Sequence, residues 1–277
     1  MTAVDGARRL PVPPKPRRPK ALALGWALTA LVVAVHVVAW DATDVSFGAL
    51  ADGWRGMADF LGEAVPPDLS WQVLGPSLEA ALVTLWIGLL GTTLSIPFSL
   101  ALALLAARGT APSAWAYQAS RSVLSFLRAV PDVVFALIFV TAVGLGPFPG
   151  VLALVCHNVG VMGKLWAEAL EDADPGPSLA LRTAGAGRVQ VAAHALLPSV
   201  RPQLAGLLMY RFDVNVRSSL VLGLVGAGGI GFLINQSIKL FKFDEMLTHI
   251  LVVVVLVVAV DRLSAAVRRR LSEGDHA

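Results

Sequence analysis

Apolar runs long enough to cross a membrane alternate with shorter polar intervals along the 277 residues. Residues 21–40 form the first run, with no Asp, Glu, Lys or Arg. Twenty helical residues cover about 30 Å of hydrocarbon at 1.5 Å each. A cleaved signal core is shorter, roughly 7–15 residues. The pattern therefore predicts a retained first span, with Trp26 and Trp40 as interface anchors. In residues 41–75, Phe47, Leu50, Trp54, Met57 and Leu61 recur at helical spacing among Asp41, Asp44, Asp52, Asp59, Glu63 and Asp68. This predicts an amphipathic helix on the outer surface, or one packed on the rim of a bundle. Residues 75–107 predict a long or tilted second span. Its small residues, Thr84, Gly88, Gly91, Thr92, Thr93 and Ser95, permit close helix approach, and neighbouring helices can accommodate Pro97.

The remaining spans are shorter. Residues 114–127 read as an interfacial amphipathic segment and 131–142 as the third span, turned at 144–150. Residues 151–166, 200–224 and 246–261 read as the fourth, fifth and sixth, with an outer excursion at 226–244. The predicted class is all-α and polytopic, with about six transmembrane helices. It divides into a basic tail (1–20), a first span with an external amphipathic segment (21–75), a core (76–265) and a tail (266–277). Within the core, residues 168–198 are a polar insert.

Composition agrees with this pattern. Hydrophobic residues make up 56% of the chain and charged residues 15%, with a mean hydropathy of +0.71. Such values belong to membrane proteins. The single cysteine, Cys156, cannot form an internal disulfide and reads as packing. The net charge of +3 could suggest nucleic acid, but its distribution points elsewhere. Seventeen of the 22 lysines and arginines fall on one side of the predicted topology; Arg55, Lys239 and Lys242 fall on the other, and two lie inside a span. The positive-inside rule then places both termini and the insert in the cytoplasm of a multi-pass cell-membrane protein.

Two kinds of chemistry stand out. In the fifth span Arg211, Asp213, Asn215 and Arg217 interrupt an apolar helix. Each mid-membrane charge costs about 2.5–3.5 kcal/mol on insertion scales, so each needs a partner or a wet cavity. Asp213 and Arg217 are four apart and can pair, as can Arg211 and Asn215. One reading is a polar translocation lining in which arginine favours a phosphate-like anion; the other is an ion pair pinning helices. His157 and Asn158 in the fourth span are a second polar intrusion, read as pathway or as packing. Lys164 sits where a lysine can snorkel. Gly226, Gly228, Gly229 and Gly231 match G-x-G-x-x-G. No βαβ context surrounds them, and an intramembrane arginine helix precedes them. They read as a glycine turn at the mouth of the pathway.

The insert carries the other chemistry. Two short helical patterns, 178–184 and 188–196, are separated by Gly185-Ala186-Gly187, and Leu197-Pro198 ends the second. The stretch resembles the coupling loop of binding-protein-dependent ABC importer permeases, whose pattern is Glu-Ala-Ala, three residues, Gly, nine residues, Ile, one residue, Leu-Pro. Ala180, Leu181, Gly185, Leu197 and Pro198 fall in register. Leu179 replaces the Glu and Ala195 the Ile; Gly187 completes the glycine corner. No Walker A sequence and no catalytic constellation occur, so the chain reads as a non-enzyme whose ATP chemistry belongs to another subunit. No internal repeat is visible, so two facing halves would need two copies.

From about residue 122 to 270 the chain resembles the permease of phosphonate-uptake ABC importers. The matching stretches begin at Arg128, Val143, Gly163, Asp174 and Tyr210. The resemblance implies a type I importer fold and a homodimer. It implies two ATPase subunits that bind ATP and Mg, an external substrate-binding protein, and surrounding lipid; no nucleic acid, cofactor or metal is implied for this chain. The implied cargo is phosphonate or a related phosphorus oxyanion, phosphate or phosphite. Related methionine permeases share the glycine turn and remain an alternative, as does an ATP-independent secondary transporter.

Overall fold

The computed structural model describes residues 19–273, and every regular element among them is helical. The expected tails at 1–20 and 266–277 lie largely or partly outside the described residues. The chain divides into two compact units between Ala58 and Asp59. In the first unit lies α1, Pro19–Ala42, whose 20-residue stretch from Ala23 is apolar and long enough to cross a membrane. The helix α2, Phe47–Ala64, contains the division; Phe47, Leu50, Trp54, Met57 and Leu61 line one exposed stripe, as the spacing predicts.

The second unit continues with α3 (Trp71–Ala106), α4 (Ala114–Ala129), α5 (Asp132–Val143) and α6 (Pro147–Glu171). A knuckle of α7 (Pro175–Thr183) and α8 (Arg188–Val191) leads through a π turn, Ala192–Leu196, into α9 (Leu197–Leu224). The unit closes with α10 (Ile230–Lys239) and α11 (Phe243–Glu273). The centre is α6: 56% of its span is buried, against 11% in α11, and it packs on α3, α4, α5 and α9. Leu154 of α6 presses on Gly91 of α3, where a Cβ would come within 2.6 Å of it. Without a side chain at 91 the two backbones approach, which is how helices associate in lipid. Ile87, Leu154 and Leu222 fill one end of the core; Leu124, Met162, Trp166 and Leu196 fill the end nearest the knuckle.

Among the described residues four helices are long and apolar enough to cross a membrane: α1, α3, α6 and α11. The segment expected as the fifth span lies in α9, whose 28 residues are long enough to cover about 42 Å. It falls short only in apolarity, because it carries Arg201, Arg211, Asp213 and Arg217.

Two expectations need correction. The segment 131–142 is not a span by itself. Its helix α5 has 12 residues, about 18 Å, and joins α4 through an 84° bend. Pro131 lacks an N–H and pushes Val130 into extended backbone (φ −82°, ψ 121°), which stops α4. The α4–α5 pair is therefore one broken span or a re-entrant element. Nor does Leu197-Pro198 end the second helical piece. The π turn widens the ring so that the Leu197 N–H reaches the Ala192 carbonyl, and the chain enters α9 without a break. Pro198 falls in the first turn of α9, where a missing N–H costs little.

Candidate translocation site and coupling element

The polar residues of α9 separate into two clusters. Arg211 and Asn215 face the bundle; Asp213 and Arg217 face α11. Arg211 is only 7% exposed. Its Nε donates to Asn158 Oδ1 of α6 at 2.9 Å, and its Nη2 donates to Asn215 Oδ1 at 3.1 Å. Asn215 Nδ2 in turn donates to Thr92 Oγ1 of α3 at 2.8 Å. Asn158 Nδ2 donates to Ser95 Oγ, also on α3. The hydroxyls pass their protons on along α3, Thr92 to the Gly88 carbonyl and Ser95 to the Thr92 carbonyl, both at 2.7 Å. Three helices thus meet in one network. Every hydrogen-bond partner of the guanidinium in it is a neutral amide, and among the described residues no carboxylate lies within ion-pair distance of it.

In the second cluster the arginine is countered by carboxylates. Arg217 Nη2 donates to Asp213 Oδ2 at 2.7 Å, one helical turn away, and lies 3.8 Å from Asp261 Oδ1 of α11. The Arg217 side chain is half exposed while that of Asp213 is buried, with Oδ1 lacking a partner. Arg217 therefore sits between two carboxylates, a poor arrangement for a second anion.

His157 does not join either cluster. Its Nδ1 lies 3.1 Å from the Val130 carbonyl, the group left free at the α4–α5 bend. Its contact supports the bend, while Asn158, the next residue, supports Arg211. The glycine turn is also a packed joint. Gly226, Gly228 and Gly229 have positive φ, 99°, 74° and 73°. A Cβ on Gly229 would meet Thr84 Oγ1 of α3 at 2.4 Å, and that hydroxyl receives the Ile230 N–H at 2.9 Å. Positive φ and absent space both demand glycine here. On Gly231 a Cβ would collide with the Leu220 carbonyl at 2.0 Å, so α10 folds tightly back on α9.

At the opposite end, the knuckle is tied to the α3–α4 connection. Arg182 Nη2 donates to the Gly109 carbonyl at 3.1 Å, and Arg188 Nη1 donates to the Pro112 carbonyl at 2.8 Å. Glu171, at the end of α6, accepts from the Arg108 N–H and from Arg121 Nη2, each at 2.9 Å. Bonding to the Tyr117 hydroxyl, helped by the Glu171 charge, raises the pKa of the Arg108 guanidinium. Gly185 has φ +88° and makes the corner between α7 and α8; Gly187 donates its N–H to Gln190 Oε1 at 2.8 Å, opening α8. Ala180 is exposed and Leu181 half-buried, while Leu197 and Pro198 lie beyond the π turn. Two large apolar side chains face outward from this polar surface, Leu179 (62% exposed) and Val189 (82%).

Sequence reasoning singled out Arg211, Asn215 and Asn158 and paired the first two, but did not join Asn158 to them. It missed Ser95 and Thr92 as their partners, although Gly88, Thr92, Ser95 and Ser99 recur at helical spacing on one face of α3. It also missed Asp261 as a second partner of Arg217, for which spacing offers no signal. Among the described residues no three His, Cys, Asp or Glu side chains converge as a metal cluster.

Residues 99–273 match the family described as binding-protein-dependent transport system inner membrane component. The phosphite transport system permease protein PtxC of Stutzerimonas stutzeri is 40% identical over 259 residues, covering 90% of this chain and 92% of that protein. The phosphate-import permease protein PhnE of Mycolicibacterium smegmatis is 40% identical over 238 residues, 86% of this chain but 44% of its own length. Among solved structures, the inward-facing methionine ABC transporter MetNI superposes with a TM-score of 0.59 at 21% identity, over 73% of this chain and 96% of that chain. That likeness speaks for the fold alone.

Proposed function

From the premise that the chain belongs to the family of binding-protein-dependent transport system inner membrane components, we propose that it is the permease subunit of an ABC importer for a phosphorus oxyanion. Phosphite, phosphonate and phosphate form the substrate class. The observation that carries the reading is Arg211, a guanidinium inside an apolar bundle whose hydrogen bonds go to neutral amides. Such a charge draws an anion into the bundle, while its shared hydrogen bonds keep it from gripping the anion tightly. The phosphite and phosphate relatives support the same chemistry.

Two copies of the chain enclose the path in this reading. The bundle has no internal repeat to supply a facing half. The mycobacterial relative is more than twice as long as the segment it shares with this chain, which leaves room for a second such unit in one polypeptide. The knuckle lies in the cytoplasm with both termini, and an ATPase subunit docks on it. A substrate-binding protein delivers cargo at the other face. ATP and Mg reside in the ATPase subunits, and this chain carries no catalytic group. The arginine tethers on Gly109 and Pro112 make the knuckle, the end of α3 and the start of α4 one body, so a push on α7 and α8 moves the helices that hold Arg211.

The test is uptake of labelled phosphite and methylphosphonate by cells lacking the chromosomal copy, with and without this chain and its cognate subunits. Uptake that depends on the chain, with methionine uptake unchanged, supports the reading. Methionine uptake alone sinks it. The docking role is checked at Val189, whose side chain is 82% exposed and so contributes little to the fold. Val189→Asp is expected to weaken ATPase capture by about thirtyfold, the scale of one buried apolar anchor. The readout is co-purification of the ATPase subunit with a correctly inserted permease; full retention contradicts docking at this residue.

A further inference from the structure

A polar cavity lies between α4 and α6 at the knuckle end of the bundle, away from Arg211. Its volume is 290 Å³, and Gln118, Arg121, Ser122, Ser125 and Lys164 line it with the apolar Leu124 beneath. Four of these five come from one face of α4, at helical spacing i, i+3, i+4 and i+7 from Gln118. Lys164 reaches it from α6. The positions are half-buried or exposed, and their bonding is uneven. Arg121 is engaged, with Nη2 on Glu171 and Nε on the Ala106 carbonyl. Lys164 has no carboxylate within ion-pair distance among the described residues, and Gln118, Ser122 and Ser125 make no side-chain hydrogen bond. A free ammonium, two free hydroxyls, a carboxamide and the remaining guanidinium N–H groups thus converge on one space.

We propose that this cavity binds a phosphoryl oxyanion. The charge and the donors fit that group: ammonium and guanidinium supply positive potential, and hydroxyl and amide protons match its several acceptor oxygens. Of the carboxylates at this end of α6, Glu171 is already occupied by Arg121 and the Arg108 N–H, and Glu168, one helical turn from Lys164, lies outside ion-pair distance of it. Lys164 is therefore a ligand group rather than a lysine merely stretching to the interface. Two sources share the chemistry: cargo leaving the path, and the headgroup of an anionic phospholipid at the membrane surface. The cargo source rests on the importer reading above; the headgroup source does not.

The test uses the full-length permease with its ATPase subunit in a maltoside detergent, which contains no phosphate. The probes are labelled phosphite, read by equilibrium dialysis, and phosphatidylglycerol, read by native mass spectrometry. Lys164→Gln removes the free charge. Ser125→Asp places a repelling carboxylate at an exposed position that the fold does not use. Each variant is expected to bind one or both probes about tenfold more weakly, the scale of a lost charge-assisted hydrogen bond, and Lys164→Arg is expected to retain binding. Weaker phosphite binding alone assigns the cavity to cargo; weaker phosphatidylglycerol binding alone assigns it to lipid. Unchanged affinity for both probes in both variants, or no binding by the unaltered chain, overturns the proposal. Phosphite uptake measured in parallel separates the failures: normal uptake with an inert cavity leaves the importer reading standing, and a lipid-binding cavity in a chain that carries no oxyanion leaves the cavity standing.

Discussion

Replacing Arg211 with glutamine is expected to reduce phosphorus-oxyanion uptake by about tenfold to a hundredfold, while Arg211→Lys stays within about tenfold of the unaltered chain. The range is that of one hydrogen bond to a charged group, about 1.5–3 kcal/mol. The two variants divide the roles of the side chain. Glutamine lacks the charge but keeps a donor for Asn158 or Asn215. Lysine keeps the charge but lacks the rigid planar fork that spans the two amides, which stand on different helices. If the guanidinium serves transport through its charge, lysine rescues and glutamine does not. If it serves only to pin α6 to α9, both variants lose the fork and both lose assembled protein to a similar degree. Uptake divided by the amount of complex in the membrane decides between these outcomes. Equal, normal uptake per complex in both variants removes Arg211 from the path. Arg217→Ala behaves differently, because it strips a buried carboxylate, Asp213, of its nearest cation. Its expected signature is reduced assembly, with uptake per complex preserved.

That contrast shows what the residue pattern could and could not reveal. Periodicity and apolarity locate α1, α3, α6 and α11, because a continuous apolar run has few alternatives in a bilayer. The i, i+4 pairs on α9 are equally legible, since they depend only on helix geometry. Which arginine pairs with carboxylates and which with amides is not legible, because it depends on Asn158, Asp261 and α3, distant in sequence and near in space. The α4–α5 bend is a middle case. Pro131 announces an interruption, but the 84° angle comes from how α4 and α5 pack against α6. The knuckle shows the reverse. Its corner glycine and register were visible, yet the anchoring by Arg182 and Arg188 to carbonyls more than seventy residues away was not. A proline expected to end a helix was instead absorbed by a π turn, an irregularity that local spacing does not encode.

The packing around that bend sets up the second large effect, at Gly160. A Cβ there would lie 2.5 Å from the Arg128 backbone nitrogen and 2.8 Å from the Leu127 carbonyl carbon. Backbone cannot rotate away, so in Gly160→Ala the last turn of α4 must move off α6. Overpacking of this kind costs about 1–3 kcal/mol, and the displacement also strains the nearby contact between His157 and the Val130 carbonyl. Since Val130 and Pro131 begin the bend, a shift at Arg128 re-aims all of α5. The variant is expected to lose most of its assembled complex, read as the yield of the permease–ATPase peak on size exclusion. Gly206→Ala is the control, because it lies in a long helix and the new methyl would meet nothing within 4 Å beyond its own helix backbone; it should assemble normally. Gly163 gives the sharper comparison. Its added Cβ meets Leu124 Cδ2 at 2.4 Å, the end of a side chain rather than backbone. Shortening that partner, in Gly163→Ala with Leu124→Ala, should restore assembly. Shortening Leu127 beside Gly160→Ala should not, because the obstructing nitrogen and carbonyl carbon remain. Rescue at both sites would mean that side-chain crowding, not backbone contact, holds α4 against α6.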